Sequence, residues 1–106
     1  MDDVLFAISD RTRRAILDSV VENEAGAGEI AARFPGMSRP AVSQHIAVLR
    51  ESGLLRERRQ GRRRFYRADP EPLRVVWEEW LSAYERYWDE RLTALKAVVE
   101  DEEAGE

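Results

Sequence analysis

Pro40, Ser43, Gln44 and Ala47 lie three and four residues apart, and Arg39 stands just ahead of them. At helical spacing these positions share one face. Such a face has small residues, one amide and no acid before Glu51, so a helix bearing it can lie deep in the major groove of duplex DNA. There the Gln44 amide can pair bidentately with adenine, and Ser43 can bond a phosphate or a base edge. Ser38 precedes the helix as its cap, and Arg39 with the unpaired amides of the first turn suits a phosphate. A merely solvated face would be rich in Glu and Lys; this one is nearly bare of both. His45 sits at the edge of the opposite, apolar stripe. Its sequence position leaves two roles open, packing in the core or donation to a phosphate.

A second group follows at Gln60-Gly61-Arg62-Arg63-Arg64. Glycine permits a tight turn, and consecutive arginines there point cations outward from a hairpin, as tips that enter a minor groove or grip the backbone do. Strand alternation prevents adjacent arginines from facing the same way. Arg62 at the tip, with one of Arg63 and Arg64, is expected to touch DNA. The competing role is an edge strand guarded by charge, which a Lys/Glu mixture would serve equally well.

Both groups lie in one basic stretch. From Arg33 to Arg67, ten arginines stand against Glu51 and Glu57, a net of +8; residues 1–32 net −4 and residues 68–106 net −8. The total of −4 hides a surface able to bind a polyanion through phosphate contacts and counterion release.

The elements that must position these groups can be read from caps and periodicity. Residues 3–8 form a short apolar helix. Ser9 and Asp10 cap a second helix from Asp10 or Arg11, with Ala15, Ile16, Val20 and Leu17 as its stripe and Arg11, Arg13, Arg14 and Asp18 solvated. Asn23–Gly28 reads as a loop and Glu29–Phe34 as a short helix ended by Pro35-Gly36. Ser38 caps a helix running to Ser52, with Pro40 in its first turn and Gly53 suited to a left-handed C-terminal position. Val42, Ile46 and Leu49 form its core stripe. Leu54–Gln60 and Arg63–Ala68 read as strands joined at Gly61-Arg62, with Leu54, Phe65 and Tyr66 carrying the apolar weight. A last helix starts at Asp69-Pro70 and extends to about Glu100. The order is α-α-α-α-β-β-α, mainly α with a small β-hairpin: a winged helix–turn–helix. Residues 1–100 are expected to form the binding and dimerisation domain, and residues 101–106 an acidic disordered tail.

Aromatics crowd the last helix. Leu73, Trp77, Trp80, Tyr84 and Tyr87 follow a near 3-4 spacing, with Trp88 beside them. The stripe is too wide for one small domain to cover, and it suits a seam against a partner helix. Val4, Leu5 and Ile8 of the first helix could complete the interface. A two-fold dimer would present paired reading helices to a near-palindromic site. An aromatic cage for a small apolar effector is the other use of the same residues, as is a protein-interaction module in which DNA contact is minor.

Composition excludes much else. The chain has no cysteine, so disulfides, thiolate metal sites and cysteine nucleophiles are out, and its only histidine is His45. Glu78, Glu79, Glu85, Asp89 and Glu90 have no imidazole company, so neither a transition-metal site nor any other cofactor is expected. No phosphate-cradling glycine loop and no nucleophile–base pair suggests an enzyme. With no apolar run of membrane length and no cationic, apolar leader, a cytoplasmic protein without membrane contact is expected.

The segment from Ser9 to Leu17 (Ser-Asp-Arg-Thr-Arg-Arg-Ala-Ile-Leu) resembles the second-helix signature of ArsR-type winged-helix repressors. Ser38 to Leu54 (Ser-Arg-Pro-Ala-Val-Ser-Gln-His-Ile-Ala-Val-Leu-Arg-Glu-Ser-Gly-Leu) resembles their recognition helix, and Arg58 to Tyr66 their wing. The resemblance covers nearly the whole chain. It implies a homodimeric DNA-binding transcription regulator, usually a repressor, joined through its first and last helices. The metal-sensing members use cysteines, or Asp/His/Glu clusters in the last helix. This chain is similar instead to the metal-independent members.

Overall fold

A computed structural model of the chain describes residues 1–104, which fall into two compact units, residues 1–74 and 75–104. In the first unit, α1 (Asp2–Ile8) and α2 (Arg11–Ser19) precede a two-residue strand β1 (Ala25–Gly26). Then come α3 (Ala27–Ala32), α4 (Arg39–Glu51), β2 (Leu55–Gln60), β3 (Arg63–Ala68) and α5 (Glu71–Val76), the last ending two residues past the boundary. The second unit holds a π-helical turn, Trp77–Leu81, and α6 (Ser82–Ala104).

Local chemistry explains the helix starts. The Asp10 carboxylate accepts from the Arg13 amide at 3.0 Å, and Ser38 Oγ from the Ala41 amide at 3.3 Å. Each satisfies one amide that the first helical turn leaves without an intrahelical partner. Pro40 sits in the first turn of α4, where its missing N–H costs nothing. Gly53 ends that helix at φ +83°, and Gly61 turns the hairpin at φ +61°; both are left-handed conformations that glycine adopts without a Cβ penalty.

Ile16, Val20, Ile30, Val42, Leu49 and Leu54 are the largest fully buried side chains and form the centre of the first unit's core. Val42, Ile46 and Leu49 are buried along one stripe of α4, which leaves the opposite side of that helix free. The sheet order is β1-β3-β2, all antiparallel. Its far end is tied to the helical layer by the Ala68 amide on the Val20 carbonyl, 3.0 Å, and the Asp69 amide on the Leu54 carbonyl, 2.8 Å.

Several expectations change. Residues 23–28 are not all loop: Ala25 and Gly26 pair with Tyr66 and Phe65, and α3 begins at Ala27 rather than Glu29. A strand this short has no periodicity, and its partner lies forty residues away, so the pairing alone defines it. On α2, Ala15 is exposed, whereas Leu17 is buried. Arg13, expected in solvent, is 8% exposed. Asp101–Ala104 continue α6 rather than forming a disordered tail, while Gly105 and Glu106 lie outside the described residues. Among residues 78–102 no side chain is buried, so α6 is held by its own backbone ladder and pairs such as Arg86–Glu90 at 3.2 Å.

Candidate nucleic-acid interface

Because the core takes one side of α4, the other presents Ser38, Arg39, Pro40, Ser43 and Gln44, all exposed, with Ala47 half-buried among them. No acidic side chain interrupts this face before Glu51. Arg39 lies over Gly28 of α3: its Nη2 is 3.3 Å from where a Cβ would stand on that glycine. A side chain at Gly28 would push the guanidinium aside.

His45 does not stand with these residues. It is half-buried, and its Nδ1 lies 3.3 Å from Nη1 of Arg13. Arg13 Nε also donates to the Ala7 carbonyl at 2.6 Å, and Nη2 to the Phe6 carbonyl at 3.0 Å. A guanidinium can only donate, so Nδ1 is the acceptor and the ring proton belongs on Nε2. Of the two roles open to His45, the geometry supplies the packing role: it joins α4 to α2 and, through Arg13, to the end of α1.

The hairpin register sorts the wing arginines. Glu57 stands opposite Tyr66, and Arg59 opposite Arg64. Strand alternation therefore places Leu55, Glu57, Arg59, Arg64 and Tyr66 on one face, and Arg56, Arg58, Gln60, Arg63, Phe65 and Arg67 on the other. Leu55 and Tyr66 are buried, which identifies the first face as the one packed toward the core. An open depression there is lined by Ser43, Ala47, Arg50, Arg64 and Tyr66, so the first face meets α4. Arg64 shares a surface with α4. Arg63 points to the other side, and Arg62 occupies the turn.

Most arginines of the basic stretch are already engaged. Arg33 donates to the Ser19 carbonyl and Arg67 to that of Glu22. Arg56 pairs with Asp69 at 2.7 Å, and Arg58 pairs with Glu24 while lying 4.6 Å from the Phe65 ring centre. Arg50, Arg59 and Arg64 gather around Glu57 at 3.6, 3.7 and 3.7 Å, and the Tyr66 hydroxyl donates to the same carboxylate at 3.0 Å. Among the described residues, the side chains of Arg39, Arg62 and Arg63 alone in this stretch make no hydrogen bond or ion pair. These three lie at the start of α4 and the tip of the wing.

The pairings shift the acids. The Arg58 hydrogen bond holds the Glu24 carboxyl below its ordinary range. The Glu71 amide and then Arg56 do the same for Asp69. Partial burial pushes Glu57 up, but the Tyr66 hydroxyl and Arg64, Arg59 and Arg50 outweigh it, leaving a net lowering. Burial and the Glu57 charge raise Tyr66. Sequence reasoning missed Glu57 and Glu24. The available signal for Glu57 was its scarcity, as one of two acids between Arg33 and Arg67, on the same strand face as Leu55.

The proposed interface aromatics are exposed. Trp77, Trp80, Tyr84, Tyr87 and Trp88 are 38–59% exposed, and Leu73 is 37% exposed. Four of these rings lie against one another, with Trp77–Trp88 centroids 6.1 Å apart, Trp80–Tyr84 6.3 Å and Tyr84–Trp88 6.5 Å. Leu92, Leu95, Val98 and Val99 extend the exposed apolar surface along α6. In α1, Leu5 and Ile8 are half-buried, but Val4 is spent in the chain's own core at 6% exposure and is not offered to a partner. Among the described residues, no group of three or more His, Asp or Glu could hold a metal ion, and no helix is long and apolar enough to cross a membrane.

Comparison with known proteins agrees with this geometry. A family profile described as a helix-turn-helix domain matches residues 8–58. The HTH-type transcriptional regulator Rv2034 of Mycobacterium tuberculosis is 36% identical over 96 residues, spanning 91% of this chain and 85% of that protein. The transcriptional repressor SdpR of Bacillus subtilis is 38% identical over 66 residues, 62% of this chain and 72% of that one. A crystal structure of an ArsR family transcriptional regulator superposes with a TM-score of 0.71 at 34% identity, covering 83% of this chain and 89% of the other. The chain belongs to the ArsR family of winged helix–turn–helix transcriptional regulators, proteins that act by binding DNA rather than by catalysis.

Proposed function

We propose that this regulator is a sequence-specific repressor that covers a promoter as a homodimer on a near-palindromic operator. The observation that carries the reading is the location of the unpaired arginines. Among the described residues, seven of the ten in the basic stretch are held by protein groups, whereas Arg39, Arg62 and Arg63 are left for a phosphate. Between them lies the acid-free face of Ser38, Pro40, Ser43 and Gln44. In this reading Gln44 and Ser43 read base edges, Arg39 and Arg62 fix the register on the backbone, and Arg64 adds a contact on the α4 side of the wing. His45 acts behind the face, through Arg13.

The homodimer reading rests on the exposed aromatic run from Trp77 to Trp88, a larger continuous apolar surface than a lone soluble helix ordinarily leaves in water. Repression is supported by the relative named as a repressor. A metal-independent mode fits a chain with no cysteine and one histidine, which is already engaged by Arg13. Such a protein acts in the cytoplasm, where the DNA is.

The test is selection of bound sequences from a random duplex library. The expected consensus is a palindrome with half-sites about 34 Å, one helical turn, apart, as two-fold related helices require. Recovery of no consensus would overturn the sequence-specific reading. A single unrepeated half-site would overturn the dimer.

A further inference from the structure

Glu57 is the one acid on the wing face that meets the recognition helix. Its side chain is 18% exposed, so it is neither a solvated surface charge nor a core residue. One arginine reaches it from each surrounding element, Arg50 from α4, Arg59 from β2 and Arg64 from β3, and the Tyr66 hydroxyl completes its shell. All three guanidinium distances, 3.6 to 3.7 Å, exceed a charge-assisted hydrogen bond. The carboxylate thus attracts three cations without closing tightly on any of them, as a phosphate between them would.

We infer that Glu57 is a specificity-determining residue that competes with DNA phosphate for Arg64, Arg59 and Arg50. The inference rests on the proposed assignment of this surface to DNA. Two consequences follow from charge alone. On arbitrary duplex, the arginines remain partly neutralised and the backbone-driven component of binding, which carries no sequence information, is weakened. On the operator, α4 seats in its groove and brings the backbone close enough for phosphate to displace the carboxylate. Glu57 therefore lowers affinity for every sequence, but lowers it more for wrong ones.

The experiment compares wild type, Glu57→Gln and Tyr66→Phe on two duplexes, one selected by the wild-type protein from a random library and its scrambled counterpart, over a range of salt concentrations. Gln keeps an acceptor for the Tyr66 hydroxyl and removes only the charge; Phe removes the hydroxyl and keeps the charge. Glu57→Gln should bind the scrambled duplex several-fold more tightly. It should also steepen the slope of log affinity against log salt by about one to two, the value for one or two further phosphate contacts, and narrow the preference for the selected duplex. Tyr66→Phe should leave the slope and the preference unchanged. Glu57→Gln binding both duplexes more weakly with an unchanged slope would show a merely structural residue and overturn the inference. Equal effects of the two variants would do the same. If the wild type itself selects no consensus, the functional reading fails first, and the two failures are distinct.

Discussion

Arg13 offers the sharpest test of how this fold holds α4 in place. Replacing it with Met keeps an unbranched apolar stem and removes the guanidinium. At 8% exposure, Arg13 spends its donors on the Ala7 carbonyl at 2.6 Å, the Phe6 carbonyl at 3.0 Å and His45 Nδ1 at 3.3 Å, and it also lies 5.1 Å from the Phe6 ring centre. Hydrogen bonds from a charged donor contribute about 1.5–3 kcal/mol each. The Phe6 carbonyl also accepts from the Ser9 amide and hydroxyl, so it is not orphaned by the change. Offsetting part of the loss by the methionine packing, the net destabilisation is about 3 kcal/mol, a large share of the roughly 5–15 kcal/mol that stabilises an ordinary domain. For a domain near this size that corresponds to a fall in Tm of roughly 12 °C or more. The assay is a thermal melt at one fixed protein concentration, because self-association would shift Tm by mass action. The control is Arg14→Met, which removes an exposed side chain with one bond, 2.7 Å to the Ile8 carbonyl, and should cost under about 1 kcal/mol. Equal melting of the two variants would refute the reasoning, since burial and bond count would then not govern the cost.

Other outcomes follow from the same structure. Arg62→Ala should weaken binding to selected and scrambled duplexes alike and flatten the salt slope by about 1, whereas Gln44→Ala should relax preference at one base position by about 1–3 kcal/mol; salt-dependent gel shifts separate the two. Trp80→Asp places a charge in the exposed aromatic run and, on the proposed homodimer, should raise the dissociation constant by roughly thirtyfold or more, the effect of losing a hot spot worth about 2 kcal/mol, as read by sedimentation. The Asp69 carboxyl lies below its ordinary value in the folded chain, so its stabilisation is full above the unfolded value and is lost as pH falls through the folded one. The Tm difference between wild type and Asp69→Asn should therefore shrink as pH drops below about 4.

How much could be read without coordinates depended on the range of the interaction. Helix starts are set by a side chain and an amide three residues apart, so Asp10 and Ser38 announced α2 and α4, with Pro40 and Gly53 marking the first turn and end of the latter. The apolar stripe Val42–Ile46–Leu49 is helical periodicity alone, and its complement, the acid-free outer face, follows by subtraction. Strand alternation across Gly61 likewise located the hairpin to within a residue. These features rest on neighbours in the chain, and the sequence by itself determined them, together with the basic field between Arg33 and Arg67.

The tertiary structure decided which of those charges are spent. An arginine is equally at home in solvent, in an ion pair or buried against carbonyls, and its neighbours in sequence do not distinguish the three. Arg13 is buried because the end of α1 comes back over it, Arg58 is paired because Glu24 arrives from thirty-four residues away, and Arg64 shares Glu57 because β2 and β3 meet in one register. Sequence shows ten arginines as one cluster. Among the described residues, folding divides them into seven that are held and three, Arg39, Arg62 and Arg63, left free at the start of α4 and the tip of the wing. The physical reason is that charge pairing is settled by distance in space, within about 4 Å, and only the packed chain sets that distance.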